Sequence, residues 1–149
     1  MISIIMTKFP NQKKEKYYGN REYKLILNCN HNSRNQSTKN KKNKKNKYAN
    51  ITQSNSKLID IKKLQKRTTQ MLFRINEGKG KAIYIIGIDD DGKSIGVPMK
   101  EIIESIEYLD LMSKEINAII NNYRIYSGQK GYILTTRVSI EPFKEIEFF

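Results

Sequence analysis

Ala82-Ile83-Tyr84-Ile85-Ile86-Gly87-Ile88-Asp89-Asp90-Asp91-Gly92-Lys93-Ser94-Ile95-Gly96-Val97-Pro98 decides between two folds. Residues 82–88 are a dense β-branched and aromatic run and read as a buried strand. The second half of the stretch has two readings. Gly87 to Ser94 satisfies G-x-x-x-x-G-K-[ST], the Walker A spelling of a nucleotide-binding phosphate loop. Asp91-Gly92 is also the strongest two-residue hairpin signal, with Ser94 to Val97 returning as the partner strand and Pro98 ending it. A phosphate loop aims backbone N–H groups and one lysine at anions, yet three consecutive carboxylates stand where the phosphates would lie. Its Lys-Ser pair should open a helix, whereas Ser94 to Pro98 reads as extended. Downstream there is no acidic residue at a strand end for magnesium and no Asn-Lys-x-Asp guanine reader. The hairpin reading is preferred, and the chain is expected to be non-catalytic.

Outward from this stretch the periodicities change from two to between three and four. Leu58, Ile61, Leu64, Thr68, Met71, Leu72 and Ile75 recur at helical steps, with Ser56 available as N-cap and Gly78 as terminator. A second helix is predicted from about Pro98 to Asn121, its buried stripe carrying Ile102, Ile106, Leu109, Met112, Ile116, Ile119 and Ile120. Tyr123 to Tyr126, a Gly-containing turn, and the alternating run Tyr132 to Ile140 predict a hairpin. Upstream, Glu22 to Leu27 alternates, placing Tyr23, Leu25 and Leu27 on one face of a short strand. The order predicts an α+β fold, with two amphipathic helices packed on a mixed or antiparallel sheet.

The charge divides unevenly. Of the 149 residues, 1–57 hold 14 Lys and Arg against Glu15 and Glu22, and 58–149 hold 14 against 13 acids. The net +13 therefore belongs almost entirely to the N-terminal third. Residues 29–56 are nearly all Asn, Lys, Ser, Thr and Gln, including KNKKNKKNK from Lys39 to Lys47. Such a segment has almost nothing apolar to bury and is expected to be a disordered, dispensable insertion. Residues 1–20 are expected to be a disordered tail, leaving 21–149 as one interrupted domain. The Asn/Lys run is read first as the product of an AT-rich genome, since both residues have A/T-only codons. The alternative is a basic arm on RNA phosphates, where any RNA affinity would then be concentrated.

Catalytic chemistry is sparse. Cys29 is the lone cysteine and His31 the lone histidine, too few for a structural zinc site and leaving no disulfide. The Asp89–Asp91 carboxylates lack the alternating ligand spacing of a calcium loop. No cofactor is expected. Met1 to Met6 is too short for a signal-peptide core and no run of residues is long enough to span a bilayer, so a cytoplasmic protein without a membrane partner is expected.

Glu22-Tyr23-Lys24-Leu25, Gln70-Met71, Phe73-Arg74, Glu77-Gly78-Lys79-Gly80, Ala82, Tyr84 and Ile86-Gly87-Ile88 through Gly92 to Gly96 occur in an order that resembles the N-terminal domain of the GTP-binding protein 1 and 2 family. The likeness covers about 22–27 and 58–120. It implies an accessory module of an elongation-factor-like, translational GTPase, contacting ribosome, RNA or a protein partner, beside a GTPase domain in cis or in trans. In that family a true phosphate loop lies beyond this domain, and no GTP-binding residue of that loop has a counterpart here. More distantly, the strand, the Asp-Asp-Asp-Gly turn and Ile95-Gly96-Val97 resemble the core hairpin of Schlafen/AlbA-type domains, some of which bind nucleic acid. On either likeness the candidate nucleic-acid contacts are Lys41, Lys42, Lys44, Lys45 and Lys47 of the arm with Arg67, Arg74, Lys79 and Lys81.

The tri-Asp spelling generates a prediction about nucleotides. Calorimetry with GTP and Mg²⁺ should show no saturable binding in the micromolar range. Saturable binding that disappears on Lys93→Ala would restore the phosphate-loop reading.

Overall fold

The computed structural model describes residues 1–29, 51–54 and 57–140. In chain order these form β1 (Ile2–Lys8), β2 (Arg21–Lys24), β3 (Ile51–Ser54), β4 (Lys57–Asp60), α1 (Ile61–Glu77), β5 (Lys81–Ile86), α2 (Met99–Glu115), β6 (Ile119–Ile120), β7 (Tyr123–Ser127) and β8 (Tyr132–Ser139). Six strands make one mixed sheet in the order β1-β7-β8-β5-β2, with β6 also pairing β8, and β3-β4 form a separate antiparallel pair. β2 lies parallel to β5 and β1 parallel to β7, while β5, β7 and β6 run antiparallel to β8. Two helices on a mixed sheet is the α+β architecture the periodicities imply.

Both helices cover one face. Ala82, Tyr84 and Ile86 of β5, Leu134 and Val138 of β8, and Ile125 of β7 meet Leu64, Met71 and Ile75 of α1 and Ile102, Leu109 and Met112 of α2 in the principal core. Each such aliphatic burial contributes about 1.5–3 kcal/mol, so these two stripes supply most of the drive to fold. The second core is smaller and sits on the other face, where Tyr23, Ile85, Ile88 and Ile133 pack with Phe9, Ile83 and Tyr126.

Several boundaries differ from the periodicity reading. α1 begins at Ile61, because Leu58 lies in β4 and Asp60 is the cap, its carboxylate accepting the N–H groups of Lys62 and Lys63 at 3.0 and 3.2 Å. Ser56 lies outside the described residues. α1 ends at Gly78, but the left-handed turn falls on Lys79 (φ 54°). Gly78 is needed for space instead: a Cβ there would stand 1.8 Å from the Lys81 carbonyl oxygen. α2 stops at Glu115, because Asn117 takes a positive φ of 53° and the Ala118 N–H closes onto the Ser113 carbonyl at 2.8 Å. Ile119 and Ile120, expected on the helical stripe, form β6. β2 ends at Lys24, so Tyr23 and Leu27 enter opposite cores and Leu25 is exposed. Ser94 to Val97 does not pair along β5. β5 already has β8 and β2 as neighbours, and Val97 bridges Tyr132 instead. The hairpin behind the Schlafen/AlbA likeness is therefore not formed as expected.

The largest correction concerns residues 1–20. They carry strand β1 and then a strap, residues 9–20, that crosses the Asp-Asp-Asp-Gly turn and reaches α1. Arg74 of α1 holds the strap. It is only 4% exposed. Its Nε donates to Glu22 at 3.1 Å, Nη1 to the Gly19 carbonyl at 3.0 Å and Nη2 to the Lys16 carbonyl at 3.0 Å, with a Glu15 oxygen 3.7 Å away. Glu15 in turn accepts the Tyr23 N–H, and burial pushes its carboxyl above the ordinary range. The insertion boundary also shifts. Cys29, expected at its start, is fully buried, with its carbonyl accepting the Asp60 N–H at 2.8 Å, and Ile51–Ser54 is a strand. The rest of the expected insertion lies outside the described residues, as do Lys41, Lys42, Lys44, Lys45 and Lys47.

The buried groups of this packing can be probed at two positions. Arg74→Met leaves buried Glu22 with only Lys24, 3.7 Å away, as a cationic partner, so urea unfolding should show a loss of about 3 kcal/mol; Arg74→Met with Glu22→Leu should recover part of it. Burial pushes the Cys29 thiol up to about 11, so the native chain should resist iodoacetamide at neutral pH and react only once unfolded.

Candidate nucleic-acid interface

Strand alternation decides what the second face of the sheet presents. On β8, Leu134, Thr136 and Val138 point toward the helices, which sends Ile133, Thr135 and Arg137 to the other side. Register then extends two rows across the sheet. One runs Arg21, Ile83, Arg137 across β2, β5 and β8; the other runs Tyr23, Ile85, Thr135, Arg124 across β2, β5, β8 and β7. Lys81, two residues before Ile83, shares this face.

The strap covers one end of the face. Phe9 packs its ring on Tyr126 with centroids 5.1 Å apart, and the Tyr23 hydroxyl donates to the Lys13 carbonyl at 3.0 Å. The other end stays open as a recess of about 530 Å³ walled by Phe9, Arg21, Ile83, Asn121, Arg124 and Arg137. Arg21, Arg124 and Arg137 are all exposed. The Arg21 Nη1 donates to the Gln12 Oε1 at 3.3 Å, which aims its guanidinium along the strap. Gln12 and Arg21 also belong to an adjoining recess of about 520 Å³, lined by Lys13, Lys14 and Lys16. Among the described residues, none lining either recess is acidic. Among the described residues, neither Arg124 nor Arg137 forms an ion pair. Six cations thus line two adjoining recesses in whose described lining no carboxylate occurs, a focused positive field suited to a polyanion.

The cations named from sequence do not converge in this way. Arg74 is buried and neutralised by Glu22. Arg67 is half-buried on α1, behind the sheet, with its Nη1 3.5 Å from the Gln70 Oε1. Lys79 and Lys81 are exposed at the α1–β5 turn, and only Lys81 adjoins the new face. Arg124 and Arg137 were legible as outward residues of the two alternating C-terminal strands. Arg21 was not, because only the long-range parallel pairing of β2 with β5 sets it beside Ile83.

The Gly87–Ser94 stretch is a turn closed by Gly92 N–H to the Asp89 carbonyl at 3.0 Å and Lys93 N–H to the Asp89 carboxylate at 2.9 Å. The strap lies against it. Gln12 N–H donates to the Gly92 carbonyl at 2.7 Å, and Glu15 N–H to the Asp90 carbonyl at 2.8 Å. The Ser94 hydroxyl donates to the Pro10 carbonyl at 2.9 Å. Gly92 has a φ of 89°, and a Cβ there would lie 2.1 Å from the Gln12 carbonyl oxygen. The next helix starts five residues after Ser94, at Met99. The residues that spell a phosphate loop here carry a strap across their backbone.

The chain is 33% identical over 88 residues to the uncharacterized protein R625 of Acanthamoeba polyphaga mimivirus, covering 58% of this chain and 47% of that protein. It is 38% identical over 56 residues to GTP-binding protein 2 of Mus musculus and to that of Homo sapiens, covering 38% of this chain and 9% of each. The chain thus spans less than half the length of these relatives. No family model and no solved structure matches it. The partial likeness to GTP-binding protein 2 agrees with the family the ordered motif residues resemble. Among the described residues no helix is long and apolar enough to cross a membrane.

Proposed function

We propose that this chain is a non-catalytic, RNA-binding accessory module of a GTP-binding-protein-2-like factor, acting in the cytoplasm beside a GTPase domain in cis or in trans. The observation that carries the reading is the convergence of Arg21, Arg124 and Arg137, from three different strands, on a recess with no carboxylate among its described lining residues. Guanidinium groups match phosphate oxygens in a planar, bidentate fashion, and the sheet sets the backbone positions of three of them in advance, so that only side-chain order is lost on binding. The strap lysines Lys13, Lys14 and Lys16 extend the same track. The partial likeness to GTP-binding protein 2 supports the GTPase association, and the strap-covered turn at Gly87–Ser94 supports a role without catalysis. A ribosome would offer the same phosphate chemistry.

Titration of the 149-residue chain with RNA at several salt concentrations tests this. Arg21→Ser, Arg124→Ser and Arg137→Ser together should weaken binding, and the slope of log K against log salt should fall by roughly two as three phosphate contacts are lost. Replacing the arm lysines Lys41, Lys42, Lys44, Lys45 and Lys47 by Ser should have the smaller effect. The opposite ranking would move RNA binding from the sheet face to the arm.

A further inference from the structure

The open sheet face also indicates which form of nucleic acid it takes. We infer that its ligand is a single strand, with at least one unpaired base lying in the recess between Phe9 and Arg137; this rests on the RNA-binding reading above. A duplex is read by an element that enters a groove, and a helix or a two-stranded ribbon serves that purpose. Here α1 and α2 both pack on the opposite face, so neither stands above this one. The face is concave instead, and its volume of about 530 Å³ lies in the range that encloses small organic groups.

The chemistry of the recess fits an unpaired nucleotide. Its lining includes two isoleucines, Ile83 and Ile85, and half-buried Ile83 is flanked in register by Arg21 on one side and Arg137 on the other. Neighbouring strands lie about 4.8 Å apart. Apolar surface and guanidinium therefore alternate at a spacing that a base and its adjacent phosphates can follow. A duplex offers phosphates to the arginines and nothing to the isoleucine, because its base faces are stacked away. Phe9 adds a ring at the rim, held by Tyr126 at 5.1 Å. Aromatic faces accept bases of any sequence. Asn121 and Asn122 are exposed at the β6–β7 junction, where the Thr136 hydroxyl fixes their backbone by donating to the Asn121 and Asn122 carbonyls at 3.3 and 3.1 Å. Their side-chain amides carry both donors and acceptors for a base edge.

The test compares one unstructured oligoribonucleotide of roughly 12 nucleotides, within known single-strand site sizes, with the same strand annealed to its complement. Fluorescence anisotropy at about 0.1 M salt should show the single strand binding at least roughly tenfold tighter. Phe9→Leu keeps an apolar contact for Tyr126 but removes the stacking face. It should weaken the single strand by roughly fivefold and leave the duplex unchanged. Equal or tighter duplex binding, with the arginine triple variant still defective, would overturn the single-strand inference and leave the RNA reading intact. Binding of neither form would overturn the RNA reading itself. If Phe9→Leu lowers both affinities and the melting midpoint, Asn122→Ala, an exposed change, takes its place; an unchanged single-strand affinity in that variant would also overturn the inference.

Discussion

Arg74 draws its partners from segments that sequence separates from it by more than fifty residues. Its helix lies after the Asn/Lys-rich segment, its carboxylate partner Glu22 lies before it, and its two carbonyl acceptors belong to the strap. A guanidinium so deeply buried is tolerable only when each donor is met, since desolvating an unpaired cation costs several kcal/mol. Here each of the three nitrogens has a partner, two carbonyls and a close carboxylate, with a second carboxylate nearby. The consequence is geometric: α1, β2 and the strap have one relative position in which this site is satisfied. With β2 held in place, Arg21 is fixed beside Ile83, and with the strap held in place, the Asp-Asp-Asp-Gly turn is covered.

The strap has a second effect on the opposite face of the sheet. By covering Tyr23, Ile85 and Ile133 with Phe9, it seals the apolar end of that face and leaves the arginine end open. The sheet is therefore neither fully buried, as it would be between two helical layers, nor fully solvated. The exposed half is where three guanidinium groups and a row of strap lysines meet. Near-neutral net charge over residues 58–149 conceals this, and several of the compensating acids lie on the other side of the sheet. Glu101, Glu104, Glu107 and Asp110 ride on α2, which packs on the other side of the sheet. A sum over the chain cancels charges that a sheet keeps apart.

The residues through which the sequence resembles the GTP-binding protein 1 and 2 family find structural explanations. Glu22 and Arg74 are the buried pair, Tyr84 and Ile86 are core, Gly78 leaves room for the Lys81 carbonyl and Gly92 for the strap. At Arg74 and Glu22 a charged residue serves an internal partner. That is why helical periodicity, which places Arg74 beside buried Ile75 but cannot show it to be buried itself, assigns it to a nucleic-acid surface it does not reach. A charged side chain at the margin of an amphipathic stripe points outward unless a partner waits inside, and the partner here is more than fifty residues away.

Local pattern was enough for the elements whose partners are close in sequence. The strand at Ala82, the β7–β8 hairpin and the apolar stripes of both helices are all written in spacing, because side chains two, three or four residues apart share a face by backbone geometry alone. The α+β class came from their order. The strap, the β2–β5 pairing and the early end of α2 were not written there. Residues 1–20 take their order from the parallel pairing of β1 with β7 and from hydrogen bonds to Arg74, Gly92 and Asp90, all contacts of long range. The candidate interface belongs to the same group. Arg124 and Arg137 point outward by alternation, but whether Arg21 joins them depends on which strand pairs with β5 and in which direction. Sequence determined the periodic elements because their physics is local; tertiary structure alone brought the cations together, because burial and strand pairing act between residues the chain keeps far apart.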